Sequence, residues 1–288
     1  MSQPSVLTAL WGKGTRFLCG GWRWHWNKLT GRIDRPPIFI VGCGHSGTTL
    51  LLAILSTHSK IHGIPYESSM AWKDRGHFEA ESGKFNKEAV WNGKRRWVEK
   101  TPRHIHRIGE LLQWRPDAKI ILIMRDGRDV ACSIKARTGS AEEGIRRWVD
   151  DNMAGKPYWG NPQVHVMKYE DLVADFETVM RKITDFLGEK YEPSLKDYAK
   201  VERRWTASVI EKPKDAFKDN HNQHRNWQIN QPLFDGRGRW KDLSPAELET
   251  VCAIGGGMLA EFGYAKPTEH GACSPTPPGA QTAHPEAQ

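Results

Sequence analysis

A glycine-rich segment, residues 42–49, carries residue types at the spacing of an anion-binding loop. It reads Gly-Cys-Gly-His-Ser-Gly-Thr-Thr, follows the apolar run 38–41, and leads into a helical pattern. Backbone N–H groups at such a strand-to-helix turn converge on one point, and the helix dipole makes that point positive. The segment therefore predicts a site for a phosphate or a sulfate. The alternative is a glycine-rich turn that binds no ligand.

The loop differs at one position from the loops that bind nucleoside triphosphates. Gly42 and Gly47 match the pattern G-x-x-x-x-G-K-[ST], but Thr48 stands where the lysine belongs. In triphosphate enzymes that lysine reaches the β- and γ-phosphates, and the next hydroxyl holds magnesium. The missing lysine argues against triphosphate chemistry, whereas a nucleotide with a single 5′-phosphate still fits.

A second segment, residues 118–137, contributes two arginines and a serine. Arg125 ends the apolar strand 120–124, and Ser133 and Arg137 are four residues apart on the following helix, so they share one face. Ligands of open α/β sheets lie beyond the carboxyl ends of the strands, where Arg125 and the first loop both belong. We expect the three side chains to form a second phosphate subsite. A salt bridge for Arg125 and a solvated Arg137 are the alternatives.

Together these segments resemble the sulfotransferases that use 3′-phosphoadenosine 5′-phosphosulfate (PAPS). Those enzymes bind the 5′-phosphosulfate with a [K/R]-S-G-T-T loop after a strand, which here reads His45-Ser-Gly-Thr-Thr49. They bind the 3′-phosphate with a strand-end arginine and a serine eight residues later, which here are Arg125 and Ser133. Arg137, the phrase Met-Arg-Asp-Gly-Arg and the later Tyr-Glu-Asp-Leu look closest to the membrane-type branch, which includes the protein-tyrosine sulfotransferases. The resemblance covers roughly residues 37–265.

The resemblance implies an in-line displacement, in which an acceptor hydroxyl attacks sulfur and adenosine 3′,5′-bisphosphate (PAP) leaves. Such a reaction needs a base for the hydroxyl proton and a donor to the departing oxygen. By position, Glu67 is the expected base and Lys100, in Glu99-Lys-Thr-Pro, the expected leaving-group stabiliser. An ordinary loop carboxylate or helix cap and an ion pair with Glu99 are the respective alternatives. This scheme needs no metal, and the sequence shows no tight cluster with metal-ligand spacing.

His45 departs from the family pattern, which usually has arginine or lysine at this place. A phosphosulfate dianion would raise the pKa of the imidazole and charge it, so we expect a substitute cation at the transferring group. The alternative is a loop histidine with no catalytic part. The resemblance also assigns donor contacts to Tyr169 and to Arg239, in a basic loop before Trp240. A core tyrosine and a solvated basic loop are the respective alternatives, and Trp240 is expected either to pack against the loop or to stack on adenine. The expected donor-binding residues are Gly44, His45, Ser46, Gly47, Thr48, Thr49, Arg125, Ser133, Arg137, Tyr169 and Arg239.

The elements that must position these residues alternate between strand and helix. This order predicts an α/β fold with a P-loop-type parallel β-sheet flanked by helices on both faces. Strands are expected at 38–42, 61–64, 119–124 and 163–168, and helices at 47–57, 103–115, 127–138, 141–153, 171–187 and 245–262. Residues 65–97 are expected to form a loop-rich region that shapes the acceptor pocket. We divide the chain into a tryptophan-rich basic segment (1–35), a sulfotransferase domain (36–266) and a disordered tail (267–288).

Composition limits the partners only loosely. A net charge of +8 over 288 residues fits a protein that binds anions, and the motifs favour a nucleotide donor and a hydroxyl acceptor, which can be acidic, over nucleic acid. Five irregularly spaced cysteines suggest reduced thiols in an intracellular protein, although one bridge stays open. No apolar run reaches the ~18 residues of a spanning helix. We expect a cytoplasmic protein, with the tryptophan and basic residues of 1–35 suited to peripheral membrane contact.

Two other function classes stay open. One is a nucleotide or small-molecule kinase with a degenerate phosphate loop, which lacks its lysine here. The other is a non-catalytic protein that keeps the nucleotide fold as a scaffold, for which His45 is the best support. The acceptor also stays open, since a sugar hydroxyl, a tyrosine, a lipid headgroup and a small metabolite all fit.

Overall fold

The computed structural model describes residues 33–205, 208–212, 221–266 and 274–275. Almost all of the tryptophan-rich segment 1–35 and of the tail 267–288 lies outside these residues, so the expectations for both remain predictions. Within the described ranges, no helix is both long enough and apolar enough to cross a membrane.

A five-stranded parallel sheet forms the centre of the domain. Its strands in sheet order are β2-β3-β1-β4-β5, and Ile38 of the central strand lies opposite Val98 on one side and Lys119 on the other. Because the chain extends the sheet on both sides of the central strand, a crevice forms at that strand's carboxyl end. The predicted α/β fold is confirmed. The strands are β1 (Ile38–Gly42), β2 (Ile61–Gly63), β3 (Arg96–Lys100), β4 (Lys119–Met124) and β5 (Val164–Lys168).

Helices connect the strands and cover the sheet. The α-helices are α1 (Thr48–Leu55), α2 (Arg75–Trp91), α3 (Ile108–Trp114), α4 (Gly127–Thr138), α5 (Ala141–Gly155), α6 (Tyr169–Ala174), α7 (Phe176–Leu187), α8 (His221–Gln228) and α9 (Pro245–Glu261). Short 3₁₀-helices lie at Met70–Trp72, Pro102–Arg107, Lys156–Tyr158, Pro193–Lys200 and Arg239–Asp242. A two-residue antiparallel pair joins Ala265–Lys266 to Ser274–Pro275.

Two apolar cores, one on each face, hold the helices to the sheet. All five residues of β1 are buried, and successive side chains of a strand point to opposite faces. Phe39 therefore joins the core beneath α5 and α9, whereas Ile40 joins the core beneath α1 and α7. A strand buried on both faces reads as a continuous apolar run, which is why β1 and β4 are visible in the sequence.

The expectation of a loop-rich region at 65–97 is wrong. Residues 75–91 form α2, whose N-terminus is capped by Asp74, which accepts a hydrogen bond from the His77 backbone N–H at 2.9 Å. Its buried side chains include Phe78, Phe85 and Ala89, which follow a helical period between many polar residues. Strand β3 also begins here, and three of its five residues are charged but buried, so it lacks an apolar run.

Candidate active site

The glycine-rich loop joins β1 to α1 at the crevice. Gly47 has φ +95°, and a Cβ atom there would lie 2.9 Å from the Tyr169 ring, so the position requires glycine. Because Thr48 is the first residue of α1, the N–H groups of its first turn have no partner within the helix. The Ser46 hydroxyl is buried and makes no hydrogen bond to the described residues. These donors suit an anion in the loop.

Arg125, at the end of β4, ties this loop to two others. Its guanidinium donates a hydrogen bond to the His45 carbonyl at 3.0 Å and another to the Gly236 carbonyl. It also lies 4.5 Å from the centre of the Tyr169 ring. The side chain is buried, and its Nε has no hydrogen-bond partner among the described residues. A buried guanidinium with a spare donor is suited to hold a second anionic group.

His45 links the two predicted phosphate subsites. Its Nδ1 lies 2.9 Å from the Ser133 hydroxyl oxygen, on the face of α4 that turns toward the loop. The residue has φ +71°, a left-handed conformation that histidine adopts more readily than most residues. The side chain thus spans from the glycine-rich loop to the serine that the sequence pairs with Arg125.

These residues line one cleft of about 830 Å³, open to solvent, which we call the first cleft. Its lining includes His45, Gly47, Thr48 and Thr49 of the loop and α1, together with Arg125, Ser133, Tyr169 and Arg239. Residues 228–229 and 231–234 complete it. Most of the predicted donor-binding residues therefore come together, although their role in binding stays a prediction.

Three predicted donor-binding residues do not line the first cleft. Gly44 and Ser46 lie in the same loop but are buried, and a Cβ at Gly44 would lie 2.8 Å from the Arg147 guanidinium. Arg137 is exposed, one helical turn beyond Ser133 on α4, and lines neither this cleft nor the neighbouring one. The sequence predicted that Arg137 and Ser133 share a helix face, but only Ser133 reaches the opening.

The C-terminal loop 233–240 lines part of the first cleft, and Tyr169 and Asp129 hold it together with Arg125. The Tyr169 hydroxyl donates to the Phe234 carbonyl at 3.0 Å and accepts from the Gly236 N–H at 3.3 Å. The Asp129 carboxylate accepts the N–H groups of Gly238 and Trp240 at 3.1 and 3.0 Å. Burial and the nearby Asp126 nevertheless raise the pKa of Asp129. Hydrogen bonds within the protein therefore position this loop.

Trp240 packs within this arrangement rather than over the cleft. Its ring lies 4.6 Å from the Arg128 guanidinium and contacts the core beneath α5. Of the two interpretations open from the sequence, packing against the loop and stacking on adenine, the structure shows packing.

We expect Tyr169→Phe to weaken PAP binding by up to about thirtyfold, because the loss of two hydrogen bonds worth roughly 1 kcal/mol each loosens loop 233–240. The phenylalanine ring keeps the stacking on Arg125. Isothermal titration calorimetry measures the change. Tyr191→Phe is the matched control, since that buried hydroxyl has no hydrogen-bond partner among the described residues. Unchanged PAP affinity in Tyr169→Phe would show that the loop does not depend on this hydroxyl.

A second cleft, of about 750 Å³, contains the predicted catalytic pair. The Lys100 ammonium lies 2.6 Å from Oε1 of Glu67, and the Arg225 guanidinium lies 2.9 Å from the same oxygen. Burial raises the pKa of Glu67, but Lys100 and Arg225 outweigh it and hold the pKa below its usual range. Burial lowers the pKa of Lys100, an effect that Glu67 only partly offsets. Glu67 is therefore ionised at neutral pH and paired with two cations.

Glu99 holds the segment that carries Glu67. One oxygen of its buried carboxylate accepts the Ser68 N–H and hydroxyl, each at 3.0 Å, and the Thr101 hydroxyl at 2.5 Å. Neighbouring residues of a strand point to opposite faces, so Glu99 and Lys100 diverge. The ionic partner of Lys100 is thus Glu67, and the alternative pair with Glu99 does not form.

The two clefts meet at Thr49 and Ile229, which line both. An anion held by the loop and Arg125 in the first cleft would lie beside the carboxylate and ammonium of the second. The arrangement suits transfer of a charged group from a bound anion to a hydroxyl. In the part of the chain that the structure describes, no three His, Cys, Asp or Glu residues are grouped to hold a metal ion.

Comparison with known proteins gives a family match. The model of the sulfotransferase family matches residues 36–88 and 75–193. An uncharacterized protein of Aquifex aeolicus is 24% identical over 199 residues, covering 55% of this chain and 26% of that protein. The chain thus spans about a quarter of the length of this curated relative.

Solved structures of sulfotransferases are similar to this chain at low sequence identity. The sulfotransferase domain of the Synechococcus PCC 7002 olefin synthase is 18% identical, with coverage of 76% of this chain and 94% of that one and a TM-score of 0.49. A mouse sulfotransferase in complex with PAP is also 18% identical, with coverage of 82% and 87% and a TM-score of 0.49.

Proposed function

This chain belongs to the sulfotransferase family, and we propose that it transfers the sulfuryl group of PAPS to a hydroxyl of an acceptor. The observation that carries the proposal is the meeting of two clefts at Thr49. One cleft holds donors suited to a nucleotide with two phosphate groups, and the other holds an ionised carboxylate beside an ammonium. The acceptor is a carbohydrate, a tyrosine, a lipid or a small molecule.

The first cleft fits PAPS by the donors that it offers. The glycine-rich loop and the first turn of α1 would hold the 5′-phosphosulfate, because their N–H groups and the helix dipole favour negative charge. Arg125 and Ser133 would hold the 3′-phosphate. The buried Ser46 hydroxyl and the spare Nε of Arg125 support this assignment, since an unpaired buried donor costs about 1–3 kcal/mol.

Transfer breaks one bond and forms another at sulfur. The acceptor oxygen attacks sulfur in line with the phosphosulfate bond, its proton passes to Glu67, and PAP leaves with the electron pair of the broken S–O bond. Holding the two reactants in adjoining clefts supplies the alignment. Glu67 can accept the proton because it is ionised, and it becomes more basic when a cation leaves it.

Lys100 stabilises the oxygen that PAP carries away. In this structure its ammonium is bound to Glu67, so it must leave that carboxylate, at least in part, to reach the donor. The same movement removes one of the two cations from the base and places its positive charge at the leaving group. Loss of a hydrogen-bond donor to a developing oxyanion lowers the rate about 100-fold to 1000-fold. His45 assists as a further cation at the transferring group.

The pH dependence tests the role of Lys100. Burial lowers the pKa of this ammonium, and only the protonated form stabilises the leaving group, so we expect kcat/KM to fall as pH rises through that lowered pKa. In Lys100→Arg the guanidinium stays charged, and the fall at high pH should vanish even if the rate is lower. The measurement is kcat/KM against pH for both proteins. An unchanged fall in Lys100→Arg would assign it to another group.

Labelled donors test the proposed reaction itself. Incubation of the full chain with PAPS carrying radioactive sulfur and with fractionated cell extracts should move label into acceptor-containing fractions. ATP labelled at its γ-phosphate should transfer none, since the loop lacks the lysine that triphosphate enzymes use. Label from ATP instead of PAPS would identify a kinase, and label from neither would contradict both reactions.

A further inference from the structure

Glu67 is paired with more positive charge than it can neutralise. Both Lys100 and Arg225 contact the same carboxylate oxygen, so the described lining of the second cleft holds two cations and one anion. Lys100 is buried, whereas the side chains of Glu67 and Arg225 are each 30% exposed. A cation that is half removed from water favours an anionic partner. The excess positive charge is therefore on the side of the cleft that a ligand can reach.

The proposed reaction assigns no role to Arg225. Lys100 moves to the leaving group and Glu67 takes the proton, but Arg225, which lies on α8 and also lines the second cleft, has no assigned step. Among the described residues, Glu67 is the one acid that Arg225 contacts. Because five N–H groups of a guanidinium can bind oxygens, an ion pair through one nitrogen leaves donors for a ligand.

The rest of the second cleft is mostly apolar. Its walls include Leu52, Pro65, Trp205 and Ile229, beside the ring of Tyr66. Such walls favour a ligand with an apolar face, and a charged side chain among them orients it. The cleft therefore combines apolar walls, one accessible guanidinium and a carboxylate positioned to receive a proton.

Building on the proposed function, we propose that Arg225 binds an anionic group of the acceptor. The acceptor is then a hydroxyl compound that also carries a carboxylate, sulfate or phosphate group. When that group engages the guanidinium, it draws Arg225 from Glu67 and leaves the carboxylate free to take the hydroxyl proton. Arg225 would thus select the acceptor and release the base in one step.

The electrostatics of the site agree with this release. Arg225 is one of the two cations that depress the pKa of Glu67. In the proposed reaction the other cation, Lys100, moves toward the donor. Among the described residues, Glu99 is a further charged group that acts on Lys100, and its carboxylate is bound by Ser68, Thr101 and His104. A bound acceptor anion would therefore raise the basicity of Glu67 by removing its remaining partner.

Matched pairs of ligands test the proposal. We would load the full chain with PAP and titrate it by calorimetry with p-hydroxyphenylacetate and its amide, and with glucuronate and glucose. We expect at least one acid to bind about tenfold more tightly than its neutral partner, as for one hydrogen bond to a charged group. Arg225→Gln should lose this preference. Arg181→Gln, which removes an exposed arginine of α7 paired with Glu177, should keep it.

The outcomes separate this proposal from the one on which it rests. If PAP binds but neither acid is preferred over its neutral partner, or if Arg225→Gln keeps the preference, the role of Arg225 is wrong and the proposed function stands. If PAP itself does not bind, the proposed function fails. As a second readout, Arg225→Gln should raise the pKa of Glu67, so the acid limb of the kcat/KM profile should move to higher pH.

Discussion

The Arg125→Ala variant should bind PAP about a hundredfold more weakly than the unmodified protein, because removing one partner of a buried charged contact costs about 2–5 kcal/mol. Arg125 is buried at the end of β4 and contacts the glycine-rich loop through the His45 carbonyl and loop 233–240 through the Gly236 carbonyl. Its loss removes the expected ligand of the 3′-phosphate and loosens both walls of the first cleft. Calorimetric titration with PAP measures the effect.

Two further variants separate binding from folding in this experiment. Arg146→Ala removes an exposed arginine of α5 that pairs with Glu142, and it should leave PAP affinity unchanged. Arg125→Lys keeps the charge but loses the planar fork, so it should recover only part of the affinity. If Arg125→Ala melts at the normal temperature and still binds PAP as the unmodified protein does, the second phosphate subsite is elsewhere.

Glu67→Gln should lower kcat for sulfuryl transfer about 100-fold to 10 000-fold, the range of a lost general base. The amide has the size of the carboxyl but cannot take a proton at neutral pH. PAP affinity should stay within about twofold, since Glu67 lines only the second cleft. Steady-state rates with labelled PAPS, together with PAP titration, measure both quantities.

Glu79→Gln is the control for this variant, because that exposed glutamate of α2 pairs only with Arg75 among the described residues. It should leave both kcat and PAP affinity unchanged. A Glu67→Gln protein with normal kcat would remove Glu67 as the base. If the unmodified protein transfers no sulfate to any acceptor while it binds PAP, the scaffold interpretation gains support over the enzymatic one.

The sequence predicted well the strands that are buried on both faces and the helices whose ends are capped. The bounds of β4 and α4 match the expected 119–124 and 127–138 because an apolar run defines the strand and local residues define the helix ends. Asp126 accepts the Arg128 N–H at 2.9 Å at the start of α4, and Gly139 ends the helix with φ +87°. The first cleft could be predicted because these elements and the loop after β1 form it, and the motif of that loop lies in one continuous segment.

The sequence predicted only part of the second cleft. Glu67 and Lys100 were found through the resemblance, but Arg225 lies more than a hundred residues away on α8, a helix of polar residues without an apolar period. Likewise, β3 has buried charges whose partners come from distant segments, such as Ser68 for Glu99. Tertiary contacts, rather than local patterns, stabilise these elements, so no local signal marks them.

The boundaries in the C-terminal half show the same limit. The helix expected at 171–187 divides into α6 and α7, because Asp175 adopts a non-helical conformation and caps α7 by accepting the Thr178 N–H at 3.1 Å. An aspartate within a polar stretch is compatible with either a helix interior or a cap, and the sequence does not decide between them.

The central claim is that the first cleft binds both phosphate-bearing ends of one nucleotide. Competing titrations of PAP, AMP and ATP test this claim most directly. We predict that one PAP binds per chain and that AMP, which lacks the 3′-phosphate, binds about a hundredfold more weakly, as expected for the loss of two charge-assisted hydrogen bonds. ATP should also bind more weakly than PAP. Equal affinity for AMP and PAP, or tighter binding of ATP than of either, would contradict the account.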